Sequence, residues 1–171
     1  MSIVETDRLE LREFVPEDAA VLAGILSDPE TMRYYPAPFD QARVARWIER
    51  NLQRYSKDRH GLWAMILKSS GELIGDCGLV RQVVGELEEI EIGYHVRRDL
   101  WGQGYASEAA RACRGYGFAT LPVDRLISMV RPENLASRRV AEKTGMTVWK
   151  ELKWGGFLHC AFAIGRGEAE R

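Results

Sequence analysis

Residues 90–117 constrain the fold more tightly than any other stretch of this chain. Ile90-Glu91-Ile92-Gly93-Tyr94-His95-Val96 alternates as a strand does, with every second residue suited to one face. A short polar loop follows. Trp101-Gly102-Gln103-Gly104-Tyr105-Ala106-Ser107 then runs into a helix whose Ala106, Ala109, Ala110, Cys113 and Gly117 make a face of small residues. Glycines at 102 and 104 let the backbone fold so that successive N–H groups point into one concavity. The helix start adds unpaired N–H groups and the positive end of its dipole, so the turn suits a pyrophosphate. Small Ala106 leaves that approach open. A tight strand-to-helix connection, with glycines present only for their φ angles, is the plainer reading of the same residues. Two common nucleotide loops are excluded, because there is no third glycine at the dinucleotide spacing and no Gly-Lys-Ser/Thr ending.

The flanking pattern predicts one domain over residues 1–171. Leu9, Leu11 and Phe14 begin a strand, and Pro16-Glu17-Asp18 opens a helix faced by Leu22, Ile25 and Leu26 and stopped by Asp28-Pro29. Tyr34 to Phe39 reads as a shaped aromatic loop. Asp40 caps a second helix with Val44, Ile48 and Tyr55 on its buried face. Residues 62–68, 73–80 and 90–96 form a strand meander, with Gly75 and Gly78 marking bulges or close approach. A strand over 126–130, a short helix from Asn134 to Lys143 and a last strand over 157–164 follow, and a frayed tail is expected from about residue 165. The order predicts an α+β (mixed α/β) fold with helices flanking one twisted, mostly antiparallel sheet.

Composition narrows the partners. Lys and Arg total 24 against 25 for Asp and Glu, a net charge of -1, so no general basic excess calls for nucleic acid. Three cysteines, Cys77, Cys113 and Cys160, lack metal-ligand spacing and form no closed disulfide set, which predicts reduced thiols and no metal. The N-terminus lacks the charged start and apolar run of a leader, and no apolar stretch reaches membrane-spanning length. The expectation is a soluble, cytoplasmic protein, a monomer or a homodimer.

The segment Glu91-Ile92-Gly93-Tyr94 with Trp101-Gly102-Gln103-Gly104-Tyr105-Ala106-Ser107-Glu108-Ala109 resembles the acyl-CoA pyrophosphate motif of the GNAT superfamily. Asn134 to Met146 resembles that superfamily's following motif. Thr6 to Arg12 with Pro16-Glu17-Asp18, and Leu73-Ile74-Gly75 with Cys77-Gly78-Leu79, resemble its RimJ/RimL-type branch. The resemblance covers nearly the whole chain, in order. It implies about six or seven strands, about four helices and a central strand pair that splays to admit acyl-CoA.

It also implies an N-acetyltransferase that moves an acetyl group from acetyl-CoA to a primary amine by direct attack in a ternary complex. The acceptor is a protein or peptide N-terminus, or a small-molecule amine. By the same resemblance Glu91 takes the place of a base. Tyr94, His95, Val96, Trp101, Gly102, Gln103, Gly104, Tyr105, Ala106, Ser107, Asn134 and Ser137 make up the cofactor-binding set, with Ser137 also a proton donor to the departing sulfur. Each has a plainer role open to it. Glu91 belongs to an acidic stretch with Glu86, Glu88 and Glu89, His95 is one histidine on a strand, and Asn134 with Ser137 suits a helix cap. The aromatic loop, Trp63 and Trp154 are candidates for the acceptor pocket. Two departures stand out: Trp101, where Arg or Gln is frequent, and Phe162, where many relatives carry a Tyr. Transfer of a larger acyl group such as succinyl, and a non-catalytic acyl-CoA-binding domain, are the alternatives.

Overall fold

Burial alternates from the first residues onward. The computed structural model describes residues 1–169. Strands β1 (Ser2–Glu5) and β2 (Leu9–Arg12) form an antiparallel pair, with Leu9 and Leu11 buried and Glu10 and Arg12 turned outward. Pro16–Asp18 makes a single 3-10 turn, and Asp18 returns two bonds to the Arg12 guanidinium at 2.8 and 2.9 Å. Helix α1 (Ala19–Leu26) follows and buries Leu22, Ile25 and Leu26. Helix α2 (Gln41–Asp58) is capped by Asp40, whose Oδ1 accepts from the Arg43 amide at 2.7 Å. Its buried line is Val44, Ile48, Asn51 and Tyr55, spaced by three and four as one helix face requires. Asn51 is the polar member. It accepts from the Leu62 amide and donates to the Trp47 carbonyl, both at 2.9 Å, so its burial leaves nothing unpaired.

Strands β3 (Leu62–Leu67), β4 (Leu73–Val84) and β5 (Leu87–Val96) continue the antiparallel meander. At Gly75 a Cβ would lie 2.0 Å from the His95 carbonyl oxygen, so the close approach read from the sequence is real and admits only glycine. Helix α3 (Tyr105–Thr120) then crosses over to strand β6 (Arg125–Val130), which joins β5 in parallel. Helix α4 (Leu135–Lys143), strands β7 (Thr147–Trp154) and β8 (Phe157–Gly165), and a last helical turn α5 (Arg166–Ala169) complete the described chain. The sheet order is β1-β2-β3-β4-β5-β6-β8-β7, with every neighbour antiparallel except β5 and β6.

Helices cover both faces of the sheet. Cys77 and Tyr94 share one face and Asp76 and His95 the other, by the period of two. Helix α3 covers the first: Cys113 Sγ lies 3.6 Å from Cys77 Sγ, and Tyr116 stands edge-on to Trp63. Helix α2 covers the second, where Trp47 Nε1 reaches Asp76. The fold is therefore the expected α+β sandwich, among the described residues an open eight-stranded sheet with five helices, and it is larger by β1, β7 and α5 than the sequence reading. Strand β7 was missed because no residue in it is buried, so it carries no alternation. Of the tail expected to fray from about residue 165, the described part to residue 169 instead folds back, with Arg166 donating to the carbonyls of Phe118, Leu121 and Val123, and residues 170–171 lie outside the described residues. No helix among the described residues is long and apolar enough to cross a membrane.

Candidate active site

The gap between β5 and β6 is set by hydrogen-bond phase. Their register has a single paired position, Glu91 with Ile127. On the other edge of β5, the Arg97 amide donates to the Ile74 carbonyl at 2.7 Å. In an antiparallel ladder that bond fixes Asp76 with His95 and Gly78 with Gly93 as the mutually bonded pairs. Ile92, Tyr94 and Val96 therefore direct their peptide groups the other way, toward β6. Ser128 Oγ takes the Ile92 carbonyl at 2.9 Å, and Trp101 Nε1 takes the Val96 carbonyl at 2.7 Å. The amides of Tyr94 and Val96 are left facing the gap, where an extended ligand arm can pair with them as a strand would. His95 differs from this expectation. Its peptide groups face β4 and its ring is engaged elsewhere, so its place in the cofactor set is not matched by the geometry.

At the end of the gap lies the glycine turn. Gly102 and Gly104 have φ of 75° and 85°, a region that side chains other than glycine rarely enter. A Cβ on Gly102 would meet nothing within 4 Å, so φ, not crowding, demands the glycine there. Gly104 is the N-cap of α3 and brings no side-chain cap, which leaves the first amides of the helix for a bound anion. Ser107 is buried at 4 % exposure and Tyr105 at 9 %, so both serve the turn through their backbone.

The turn is buttressed from the far N-terminus. Glu108 Oε1 accepts from Thr6 Oγ1 at 2.6 Å and from the Arg8 amide at 3.0 Å, and Oε2 accepts from Arg8 Nε at 2.7 Å. Arg8 Nη1 donates to the Gln103 carbonyl at 3.0 Å, and its guanidinium lies 4.2 Å from the centre of the Tyr105 ring. Burial works against the Glu108 charge, but these bonds outweigh it and hold the carboxyl below its ordinary range. Arg8 and Thr6 belong to the stretch that carried the branch resemblance, yet their task was illegible without the pairing across about one hundred residues.

Glu91 is the carboxylate at the mouth of the gap. Its neighbours Glu88 and Glu89 are neutralised by Arg81 and Arg125, whereas Glu91 makes no salt bridge among the described residues. Instead Oε1 accepts from the Met129 amide at 3.1 Å, bridging the two strands just past their paired position. Burial pushes its pKa up from the ordinary value, against the pull of Gln82, the Met129 amide, His95 and Arg54. Across the gap, Tyr94 Oη lies 2.8 Å from Ser137 Oγ and donates to the Ser137 carbonyl at 3.0 Å. Burial raises the Tyr94 pKa, so the phenol stays protonated. Asn134 acts as the α4 N-cap, its Oδ1 accepting from the Ser137 amide at 3.1 Å. Phe162 is buried in β8 opposite Ser128, with no hydroxyl to offer.

The aromatic loop closes the other side. Tyr35 Oη lies 2.7 Å from His95 Nε2, His95 Nδ1 lies 2.7 Å from Asp76 Oδ1, and Trp47 Nε1 donates to Asp76 Oδ2 at 3.0 Å. A carboxylate at Asp76 accepts from Nδ1–H, and Nε2 shares the remaining hydrogen bond with the Tyr35 hydroxyl. Tyr34 Oη reaches the Glu133 carbonyl at 3.2 Å, so the two tyrosines span the gap from β5 to the start of α4. Trp63 and Trp154 do not join them: Trp63 is in the core against Tyr116, and Trp154 stacks on His159. His60 is core, bonded to the Leu79 carbonyl. Arg138 is turned to the Pro132 carbonyl. A concavity of about 890 Å³, lined by Glu88, Asp124 and Trp149 among others, lies at the other ends of β5 and β6.

Comparison with known proteins agrees with this arrangement. The family model described as an acetyltransferase (GNAT) domain matches residues 8–147. The chain is 40% identical over 151 residues to the uncharacterized protein YkkB of Bacillus subtilis (strain 168), covering 87% of this chain and 88% of that one. Its structure is similar to a GNAT-family acetyltransferase from Bacillus anthracis, with a TM-score of 0.82 and 27% identity, over 98% and 99% of the two chains. It also shares its fold with Mycobacterium smegmatis RimJ, solved in complex with a CoA disulfide, with a TM-score of 0.76 and 23% identity over 95% and 84%. Gap, glycine turn, sheet order and family match agree, and the chain belongs to the GNAT acetyltransferase family.

Proposed function

We propose that this enzyme transfers an acetyl group from acetyl-CoA to a primary amine, with both substrates bound together across the β5–β6 gap. The observation that carries the reading is the pairing of two features on one path. The uncapped, positive-φ turn at Gly102–Gly104 suits a pyrophosphate, and the Tyr94 and Val96 amides that lead away from it suit an amide-bearing arm. Those residues fit acetyl-CoA, with Trp101 fastened on Val96 and Arg8 fastened on Gln103 to hold the turn in shape.

An alkyl ammonium at neutral pH must lose a proton before it attacks. Glu91, with its pKa raised and no ion-pair partner among the described residues, takes that proton directly or through one water. The amine nitrogen then bonds to the thioester carbon while a strand amide facing the gap, Tyr94 or Val96, donates to the developing oxyanion. As the carbon–sulfur bond breaks, the sulfur takes a proton from the Ser137–Tyr94 hydroxyl pair, and the nitrogen gives up its second proton, which restores that pair directly or through water. Tyr94 thus supplies the phenol that Phe162 lacks. A larger acyl group, such as succinyl, is the second donor to test, because nothing in the gap fixes acyl length.

Glu91→Gln tests the reading. Turnover at neutral pH is expected to fall about 10²- to 10⁴-fold while calorimetric affinity for acetyl-CoA holds. A base must be ionised, so the wild-type rate rises with pH through a Glu91 pKa above the usual carboxylate value, and the variant loses that limb. Wild-type turnover in Glu91→Gln at neutral pH removes Glu91 from the role.

A further inference from the structure

Helix α2 carries a charge pattern that its packing uses only in part: Arg54 Nη1 donates to Asn51 Oδ1 at 3.2 Å, and the Arg43 guanidinium lies 4.1 Å from the centre of the Phe39 ring. At 100° per residue, Arg43, Arg46, Arg50, Arg54 and Lys57 fall within an arc of about 80°. That arc flanks the buried line of Val44, Ile48, Asn51 and Tyr55. None of the five forms a salt bridge among the described residues. The acids at the two ends of the helix are already engaged, Asp40 by the Arg43 amide and Asp58 by Arg81. In a chain of net charge -1, five unpaired cations on one flank make a local positive field.

This flank borders the acceptor side of the site. Trp47, within the same flank, stands edge-on to His95 with ring centres 5.9 Å apart and bonds Asp76. Phe39 meets Trp47 and Tyr35 edge-on, with ring centres 5.4 and 6.1 Å apart, so one aromatic row runs from Tyr35 to the arginines. The charge of Arg43 is felt at Tyr35, and those of Arg54 and Glu91 are felt at each other. A small cavity of about 160 Å³ sits in this flank, lined by Phe39, Arg43, Arg46, Trp47 and Arg50. Three guanidinium groups and two rings around a space of that size suit one carboxylate or phosphate group on a short apolar stem.

We propose that the acceptor carries an anionic group, a carboxylate or phosphate, that docks among Arg43, Arg46 and Arg50 while its amine reaches Glu91. This rests on the transferase reading above and adds the acceptor's chemical class to it. Tyr35 and Trp47 form the apolar floor between the two ends, and the arginines select by charge. The anion comes from one of two sources, an acidic side chain near a peptide N-terminus or a small amino acid or amino phosphate. The cavity recognises the same group in both.

Matched acceptors decide it. Acetyl transfer is measured on two N-terminal peptides that differ only by Asp or Glu against Asn or Gln in the second to fourth residues, and on β-alanine against β-alaninamide as free amines. The acidic member of at least one pair is expected to lead in kcat/KM by about tenfold or more, mainly through KM and less so at high salt. Which pair responds names the source. In the double variant Arg46→Glu with Arg50→Glu the preference should reverse toward Lys-containing peptides, with acetyl-CoA affinity held as the sign of an intact fold. Equal use of acidic and neutral acceptors by the wild type overturns the proposal, as does a double variant with unchanged discrimination. Calorimetric binding of the same acceptors to the CoA-loaded protein separates the two claims. Charge-selective binding without transfer to any amine upholds the anion site and overturns the transferase reading. Binding of a short RNA that the double variant loses, with acceptor discrimination unmoved, makes the stripe a nucleic-acid surface and also overturns the proposal.

Discussion

Gly104 shows what a single residue settles. Its φ of 85° shapes the turn before α3 that is proposed to hold the pyrophosphate, and a side chain there is strained by about 1–2 kcal/mol. Gly104→Val is therefore expected to weaken acetyl-CoA binding by about tenfold or more in a calorimetric titration. Unchanged affinity places the pyrophosphate elsewhere. Glu108 gives a second residue-scale outcome. Its pKa is lowered in the fold, so its contribution is present above the unfolded value of about 4.3 and is lost as pH falls through the folded one. Acid titration of stability should lose that component in Glu108→Gln. Gly102, Gly104 and the Asn134 cap were legible because each acts through its own backbone neighbourhood. Asp76 and Trp47 were not, because their roles exist only once β4, β5 and α2 are assembled. The bonds of His95 to Tyr35 and Asp76 were not legible either, since sequence cannot tell which way its ring and peptide groups point.

At the scale of elements, α2 was the most readable and carries the sharpest stability prediction. Asn51 sits in its buried line, and its loss strands the Leu62 amide in the core at the start of β3. Asn51→Ala is expected to cost about 1–3 kcal/mol. Thermal melts should then fall by roughly 2–4 °C per kcal/mol. A melt equal to wild type means that water or another group replaces the bond. Strands β1 and β7 escaped the sequence reading for the same physical reason: each is an edge strand with one partner and no fully buried residue, so burial leaves only a weak period in it. Tail helix α5 escaped because its anchor, Arg166, bonds carbonyls at the end of α3 some 45 residues earlier.

The whole molecule is a sheet held slightly open at its centre. Eight strands pair along their lengths except at β5 and β6, where one ladder position, the Ser128 hydroxyl and the Glu91 carboxylate hold the two halves together. A ligand lying in that gap completes the sheet as a ninth strand would. Acetyl-CoA at a hundred times its Kd should stabilise the fold by about 2.7 kcal/mol. That corresponds to a rise of roughly 5–10 °C in the melting temperature. Overall class and crossover were legible, because the glycine turn after a strand and before a helix admits few topologies, and the gap was expected from the GNAT resemblance. The acceptor side was not, because it is assembled from a loop, a helix flank and one strand face that are distant in sequence.

Release of free thiol from acetyl-CoA, followed continuously with and without a panel of primary amines and N-terminal peptides, tests the central claim most directly. The expected result is thiol release that requires both substrates, appears one-for-one with an acetylated amine, and drops in Glu91→Gln. Release at the same rate without any amine, or tight acetyl-CoA binding with no release across the panel, contradicts it.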